Sequence, residues 1–308
     1  MSAVGAVDTT VDLGGIALRN PVLTASGTFG YGSEFAPFLD LRTIGGFVAK
    51  SLTVAPRTGN LPHRIHETPS GLLNAIGLEN VGVDAFIADK LPQIPDGVPV
   101  VASVFGTAPA EYVEVCKRLT GVPKVAGLEL NASCPHVKAG GIEFGQNPEL
   151  LAGLVRECRA ATSLPLLVKL SPNVTSIAEM ARVAEGEGAD GLALINTLQA
   201  LDVDLATRRP VLRNVLGGLS GPAIGPVALR MVFQASRAVG IPICGIGGIA
   251  TAEDALKFLL CGATAVQVGT ASYLNPMAAG EVAAGMEAWC AEQGVTAVRD
   301  LVGALELP

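Results

Sequence analysis

Leu128-Glu129-Leu130-Asn131-Ala132-Ser133-Cys134-Pro135-His136-Val137-Lys138-Ala139-Gly140-Gly141 begins with the pattern of a buried strand and breaks at Cys134-Pro135. It passes through a polar, glycine-containing loop, and a helical pattern resumes near Asn147. Strand, loop and helix in that order make one β/α unit. Taken alone, Cys134 reads as a small buried apolar residue, the usual state of a free cysteine. A thiol at a strand mouth beside Asn131 and Ser133 also suits chemistry, so its meaning depends on what the rest of the chain places next to it.

The same unit recurs along the chain. Strand patterns occur at Pro21–Ser26, Phe47–Lys50, Val98–Val104, Val125–Asn131, Pro165–Leu170, Gly191–Ile195, Ile241–Gly245 and Ala265–Gly269. Most are continuous apolar runs, as expected of parallel strands covered on both faces. Apolar residues at helical spacing mark Ala108–Leu119, Pro148–Ala161, Ile177–Glu187, Pro226–Ala238, Ala252–Leu260 and Ala278–Ala291. Thr251-Ala252-Glu253-Asp254 has the form of a capped helix start. Eight strands alternating with helices predict a closed (β/α)8 TIM barrel, an open doubly wound sheet being the alternative. Val11-Asp12-Leu13 and Ile16-Ala17-Leu18 around Gly14-Gly15 predict an N-terminal β-hairpin closing the barrel bottom. No linker or composition shift divides the chain, so residues 1–308 are read as one domain.

Composition narrows the function. Of 308 residues, 49% are apolar and 16% charged, enough to build a large aliphatic core. A net charge of −7 argues against a nucleic-acid surface. No apolar run approaches the roughly 20 residues that cross a bilayer, and Met1–Thr10 lacks the form of a signal peptide, so a cytoplasmic protein without membrane contact is expected. The six cysteines are scattered without a C-x-x-C pair, which argues against a metal site or an iron–sulfur cluster on this chain.

Two connections, Ser51 to Gly97 and Leu198 to Pro222, are long enough to be functional excursions, and in a barrel both leave from the C-terminal rim. The strand ends at that rim carry Ser26-Gly27, Lys50-Ser51, Ser103, Asn131 with Cys134, Lys169, Asn196-Thr197, Gly247-Gly248 and Gly269-Thr270. Each alone has a bland reading as a cap or turn; their joint arrival at one face points to a site. The glycine-rich ends of strands seven and eight suit a phosphate, bound by backbone N–H groups and a helix N-terminus. That predicts a phosphorylated substrate or flavin mononucleotide (FMN).

At this point the chain resembles the dihydroorotate dehydrogenases over nearly its whole length. The resemblance rests on Ala25–Gly30, Lys50–Thr53, Gly71–Asn80, Asn131–Pro135, Val168–Asn173, Asn196-Thr197 and Gly217–Ala223. It implies an FMN-bearing barrel that oxidises dihydroorotate to orotate in pyrimidine synthesis. Cys134 would be the base that takes the C5 proton, while a hydride passes from C6 to N5 of FMN. A thiol suits that task where its site lowers its pKa. Lys50 matches the lysine that touches both flavin and substrate. Asn74, Ala75, Ile76, Gly77, Leu78, Asn131, Asn196 and Thr197 match substrate-binding positions. Ser26, Ser51, Ser103, Asn131, Lys169, Ile195, Gly221, Gly247, Gly248, Gly269 and Thr270 match flavin-binding positions.

The cysteine base and the run Val137–Gly145 resemble class 1B. That class passes electrons to NAD through a partner subunit holding FAD and an iron–sulfur cluster. A homodimer of this chain joined by that subunit into a heterotetramer is the implied assembly. Two positions depart from the family pattern: His136 stands where asparagine is usual in the substrate grip, and Ser103 where asparagine commonly approaches the flavin. A dihydropyrimidine dehydrogenase-like flavoprotein and a class 1A fumarate-linked enzyme remain alternatives. So do a non-redox lyase or isomerase that grips a substrate phosphate, and a non-catalytic scaffold.

Overall fold

The computed structural model describes residues 6–132 and 144–308. Eight strands form one sheet: β1 (Val22–Thr24), β2 (Phe47–Leu52), β3 (Val100–Val104), β4 (Val125–Asn131), β5 (Leu166–Lys169), β6 (Gly191–Leu194), β7 (Ile243–Ile246) and β8 (Ala265–Val268). Their order is β1-β8-β7-β6-β5-β4-β3-β2, and every ladder is parallel. The ends meet where Leu23 bridges Gly46 and the Gly45 N–H donates to the Val22 carbonyl at 2.8 Å. The sheet is therefore a (β/α)8 TIM barrel, and the open-sheet alternative fails.

The strands are buried on both faces because their residues are apolar on both. Val100, Val101, Leu128, Leu130, Leu166, Leu167 and Val168 are all fully buried. Each such side chain contributes about 1.5–3 kcal/mol of transfer free energy, which continuous apolar runs double relative to a one-faced strand. The six helices expected from periodicity are present as α1 (Pro109–Leu119), α2 (Pro148–Ala161), α3 (Ile177–Gly186), α4 (Gly225–Ser236), α5 (Ala252–Leu260) and, after the short α6 (Ala271–Leu274), α7 (Ala278–Gln293). Their starts are set by local chemistry. Asn147 caps α2 by accepting from the Leu150 N–H at 3.0 Å, and Ser176 caps α3 by accepting from the Glu179 N–H at 3.2 Å.

The first two units depart from the regular pattern. After β1 the chain makes turns and a single 3-10 turn at Leu41–Thr43 in place of a helix. After β2 it builds an antiparallel hairpin, Ile65–Thr68 with Gly71–Asn74, and then a short helical segment beginning at Val83. That hairpin joins Gly217–Ser220 and Leu198–Ala200 in one four-stranded antiparallel sheet, so the two long excursions become one structure over the C-terminal rim. His66 Nε2 lies 3.6 Å from Asp202 Oδ2, a second link between them.

The N-terminal hairpin pairs Val11 with Leu18 and Asp12 with Ala17. It sits against the opposite end of the barrel, where β6 begins. Gly14 has φ +64°, and a Cβ there would lie 2.3 Å from the Asp190 carbonyl oxygen, so only glycine fits this turn. Among the described residues no helix is long and apolar enough to cross a membrane. Cys116, Cys158, Cys244, Cys261 and Cys290 are free thiols.

Candidate active site

Strand polarity fixes where the polar residues arrive. Each parallel strand delivers its last residues to the same rim, and the excursion sheet covers that rim. Between them lies a cavity of about 310 Å³, at the lower end of the roughly 300–1,000 Å³ usual for small-molecule sites.

The cavity gathers nearly all the expected residues that the structure describes. Its floor and near wall carry Ser26, Lys50, Ser51, Asn131 and Lys169 from the ends of β1, β2, β4 and β5, with Ile195, Asn196 and Thr197 just past β6. Asn74, Ile76, Gly77 and Leu78 descend from the excursion. Gly221, Gly247, Gly248, Gly269 and Thr270 line the cavity from the β7 and β8 ends and the second excursion.

Two expected residues stand off the cavity. Ala75 is fully buried beside Leu73 and Leu212 in a small core under the excursion sheet. Its N–H donates to the Arg64 carbonyl and its own carbonyl accepts from Asn60 Nδ2, so its backbone is already engaged. Ser103 is fully buried behind Ser51, and the two hydroxyls lie 2.9 Å apart. Ser103 therefore reaches the cavity only through Ser51. Cys134 and His136 lie outside the described residues.

The polar groups form a connected chain. Asn131 Nδ2 donates to Ser51 Oγ at 3.1 Å, and Asn196 Nδ2 donates to Asn131 Oδ1 at 3.3 Å. The Thr197 N–H donates to Asn196 Oδ1 at 2.8 Å. Linked amides of this kind hold one another's orientation, which fixes which donors and acceptors face a ligand. Lys50 Nζ donates to the Gly27 carbonyl at 3.4 Å, which holds the ammonium at the β1 end of the cavity. Asn74 Nδ2 donates to the Gly218 carbonyl at 3.2 Å, tying the two excursions at the cavity roof.

Below this layer Lys169, with its side chain 7% exposed, lies 3.9 Å from the fully buried Glu129 carboxylate. Glu129 belongs to no motif of the sequence, although a lone charge inside an apolar strand is a visible signal. Tyr273, half exposed, also lines the cavity, and no motif marks it in the sequence. The contact of Thr270 Oγ1 with Ser220 Oγ at 2.8 Å, joining β8's end to the excursion, is unmarked there as well.

The glycine wall is a cradle that side chains would fill. A Cβ on Gly248, whose φ is +77°, would lie 2.7 Å from the Gly225 Cα at the start of α4. One on Gly247 would lie 2.9 Å from the Ala228 Cβ. Backbone thus approaches backbone, leaving a smooth surface of the sort that admits a phosphate. One detail differs from expectation. The N-terminus of α5 is filled by its own capping box, with Thr251 Oγ1 accepting from the Asp254 N–H and Asp254 Oδ2 accepting from the Ala250 and Thr251 N–H groups, all at 3.2 Å. The wall offers the Gly247–Ile249 backbone, and the Ala250 N–H and the α5 N-terminus are spoken for.

This geometry suits a planar, phosphorylated ligand, and comparison with known proteins gives it a family. The family model described as dihydroorotate dehydrogenase matches residues 9–289. The chain belongs to the dihydroorotate dehydrogenase family. Relatives of similar length agree. The protein named dihydroorotate dehydrogenase B (NAD(+)), catalytic subunit, of Trichlorobacter lovleyi is 59% identical over 298 residues, 96% of this chain and 98% of the relative. Its namesake in Pelobacter propionicus is 59% identical over 300 residues, 97% of this chain and 99% of the relative. The one in Geotalea daltonii is 55% identical over 301 residues, with 97% and 99% covered. As a dihydroorotate dehydrogenase family member, the chain is an oxidoreductase, and the non-redox and scaffold alternatives fall away.

Proposed function

We propose that the chain oxidises dihydroorotate to orotate in pyrimidine synthesis, with FMN bound in the rim cavity and electrons leaving to NAD through a separate subunit. The observation that carries this reading is the meeting, in one cavity, of a glycine cradle with the Ser51–Asn131–Asn196 chain and two lysines. The cradle of Gly221, Gly247, Gly248, Gly269 and Thr270 would take the FMN phosphate. Ser26, Lys50, Ser51, Asn131, Lys169 and Ile195 would border the ring, with Ser103 holding Ser51 in place. When bound, FMN supplies the two-electron acceptor.

The chain's own residues supply the rest. Asn74, Ile76, Gly77, Leu78, Asn131, Asn196 and Thr197 would present donors and acceptors to a planar ring carrying a carboxylate and two amides. The linked amides orient that ring before reaction, which removes orientational freedom from the barrier. The Lys50 ammonium lies where it favours negative charge developing on ring or substrate. Cys134 would take the C5 proton, a role that rests on the motif Asn131–Pro135.

The name shared by the relatives, catalytic subunit, supports a partner that carries the electrons on. FAD and an iron–sulfur cluster would belong to that partner, and a homodimer of this chain would form the centre of the assembly. The base is tested by Cys134→Ser. FMN uptake is expected to be retained while flavin reduction by dihydroorotate slows at least ~100-fold, the scale of a lost general base. Reduction near the wild-type rate would place the base elsewhere.

A further inference from the structure

The interior of a (β/α)8 barrel is ordinarily filled by layers of branched apolar side chains. Here one layer holds a carboxylate. Glu129, on β4, is fully buried, and its Oε2 accepts from Gln267 Nε2 of β8 at 2.7 Å. Strands β4 and β8 stand four places apart in the eight-strand order, so this hydrogen bond spans the lumen. The other oxygen, Oε1, faces Lys169 Nζ at 3.9 Å and has no hydrogen-bond partner. Cys244, on β7, adds no charge. Burial pushes its thiol up, the Glu129 charge adds to that, and it stays neutral.

A buried ion pair is weak evidence for stability, because well-packed apolar residues in its place are often as good or better. A carboxylate retained in such a layer calls for another use. Lys169 supplies one. It pairs with Asn131 in the β4–β5 ladder, so its side chain stands one step above Glu129 and lines the cavity. Its ammonium therefore has the carboxylate beneath it and the cavity above it.

We propose that Glu129 is a positioning residue: it holds the Lys169 ammonium at the cavity floor and, by partly cancelling its charge, sets the reduction potential of the flavin above it. Gln267 is the second element of the device, since its hydrogen bond draws charge away from the carboxylate. The proposal rests on the reading that FMN occupies this cavity.

Two substitutions of opposite sign test it. Glu129→Gln keeps the shape and removes the counter-charge, so Lys169 stabilises the reduced, negatively charged ring more strongly. Gln267→Met removes the donor, leaves the carboxylate charge undivided and weakens the pull of Lys169. The full chain loaded with FMN is titrated anaerobically against an indicator dye to give the midpoint potential. Glu129→Gln is expected to raise it by about 30 mV or more, equivalent to a tenfold change for a two-electron couple. Gln267→Met is expected to lower it. Shifts in the same direction, or an unchanged potential in Glu129→Gln, overturn the proposal. If Glu129→Gln does not fold, Gln267→Met decides alone: a lowered potential supports the device and an unchanged or raised one overturns it. Wild-type chain that takes up no FMN would refute the cofactor reading, an outcome separate from these.

Discussion

Asn131 links Ser51 to Asn196 at the cavity. Its amide donates to Ser51 and accepts from Asn196, its carbonyl accepts from the Tyr112 hydroxyl at 2.9 Å, and it is 7% exposed. Truncation takes a donor from buried Ser51 and an acceptor from half-buried Asn196, at about 1–3 kcal/mol for the buried contact. Asn131→Ala is therefore expected to weaken dihydroorotate binding ~10- to 100-fold. Titration of the FMN-loaded variant with dihydroorotate or orotate checks this, and unchanged affinity would remove Asn131 from the grip. The residue was legible in advance because an amide ending an apolar strand has few structural uses. Its links were not, since Ser51 is 80 residues away and Asn196 is 65 away. Ser103 shows the limit from the other side. A hydroxyl at a strand end reads as a rim residue, and only packing reveals that Ser51 stands between it and the cavity.

At the scale of elements, the period of apolar residues was sufficient for the barrel strands and the long helices. The strand Val125–Asn131 and the helices Pro148–Ala161 and Ala252–Leu260 run between the residues the pattern marks. The joining of the two excursions into one sheet was invisible because that pairing is not local. Asn74 faces Gly218 across it, and no period in either segment announces the other. The βα turn after β7 belongs to this scale too. Gly248 combines φ +77° with a 2.7 Å approach to Gly225, so an added methyl must push the turn away from α4. Gly248→Ala is expected to lower stability by about 1–3 kcal/mol, the usual cost of overpacking. FMN affinity is expected to fall at least ~10-fold, because the displaced backbone is the cradle. Chemical denaturation of the apo chain and FMN titration measure the two separately. Loss of stability with FMN affinity intact would mean that the phosphate lies elsewhere.

For the whole molecule, the barrel was legible from eight apolar runs with helices between them, while the way the chain ends are joined was not. The Asp8 N–H donates to the Thr296 carbonyl and the Val298 N–H donates to the Asp8 carbonyl, both at 2.9 Å, so the start of the described chain runs beside its end. The Asp8 carboxylate accepts from Thr10 and from Arg299, and these bonds hold it near pKa 2, below its ordinary 3.8. A carboxyl depressed in the folded state contributes stability that is fully present above the ordinary value and is lost as pH falls through the folded one. Asp8→Asn is therefore expected to be less stable than wild type at neutral pH. It should also lose less stability between pH 3.8 and 2. Thermal unfolding across that window reads both effects, and parallel curves would show that the contact contributes nothing.

The function joins these scales, and it is tested most directly by the anaerobic absorbance spectrum of the isolated chain. The chain should be yellow with bound FMN, bleach on addition of dihydroorotate and keep its colour with dihydrouracil. A colourless chain that takes up no FMN would contradict the account, as would a flavin that dihydrouracil bleaches and dihydroorotate does not.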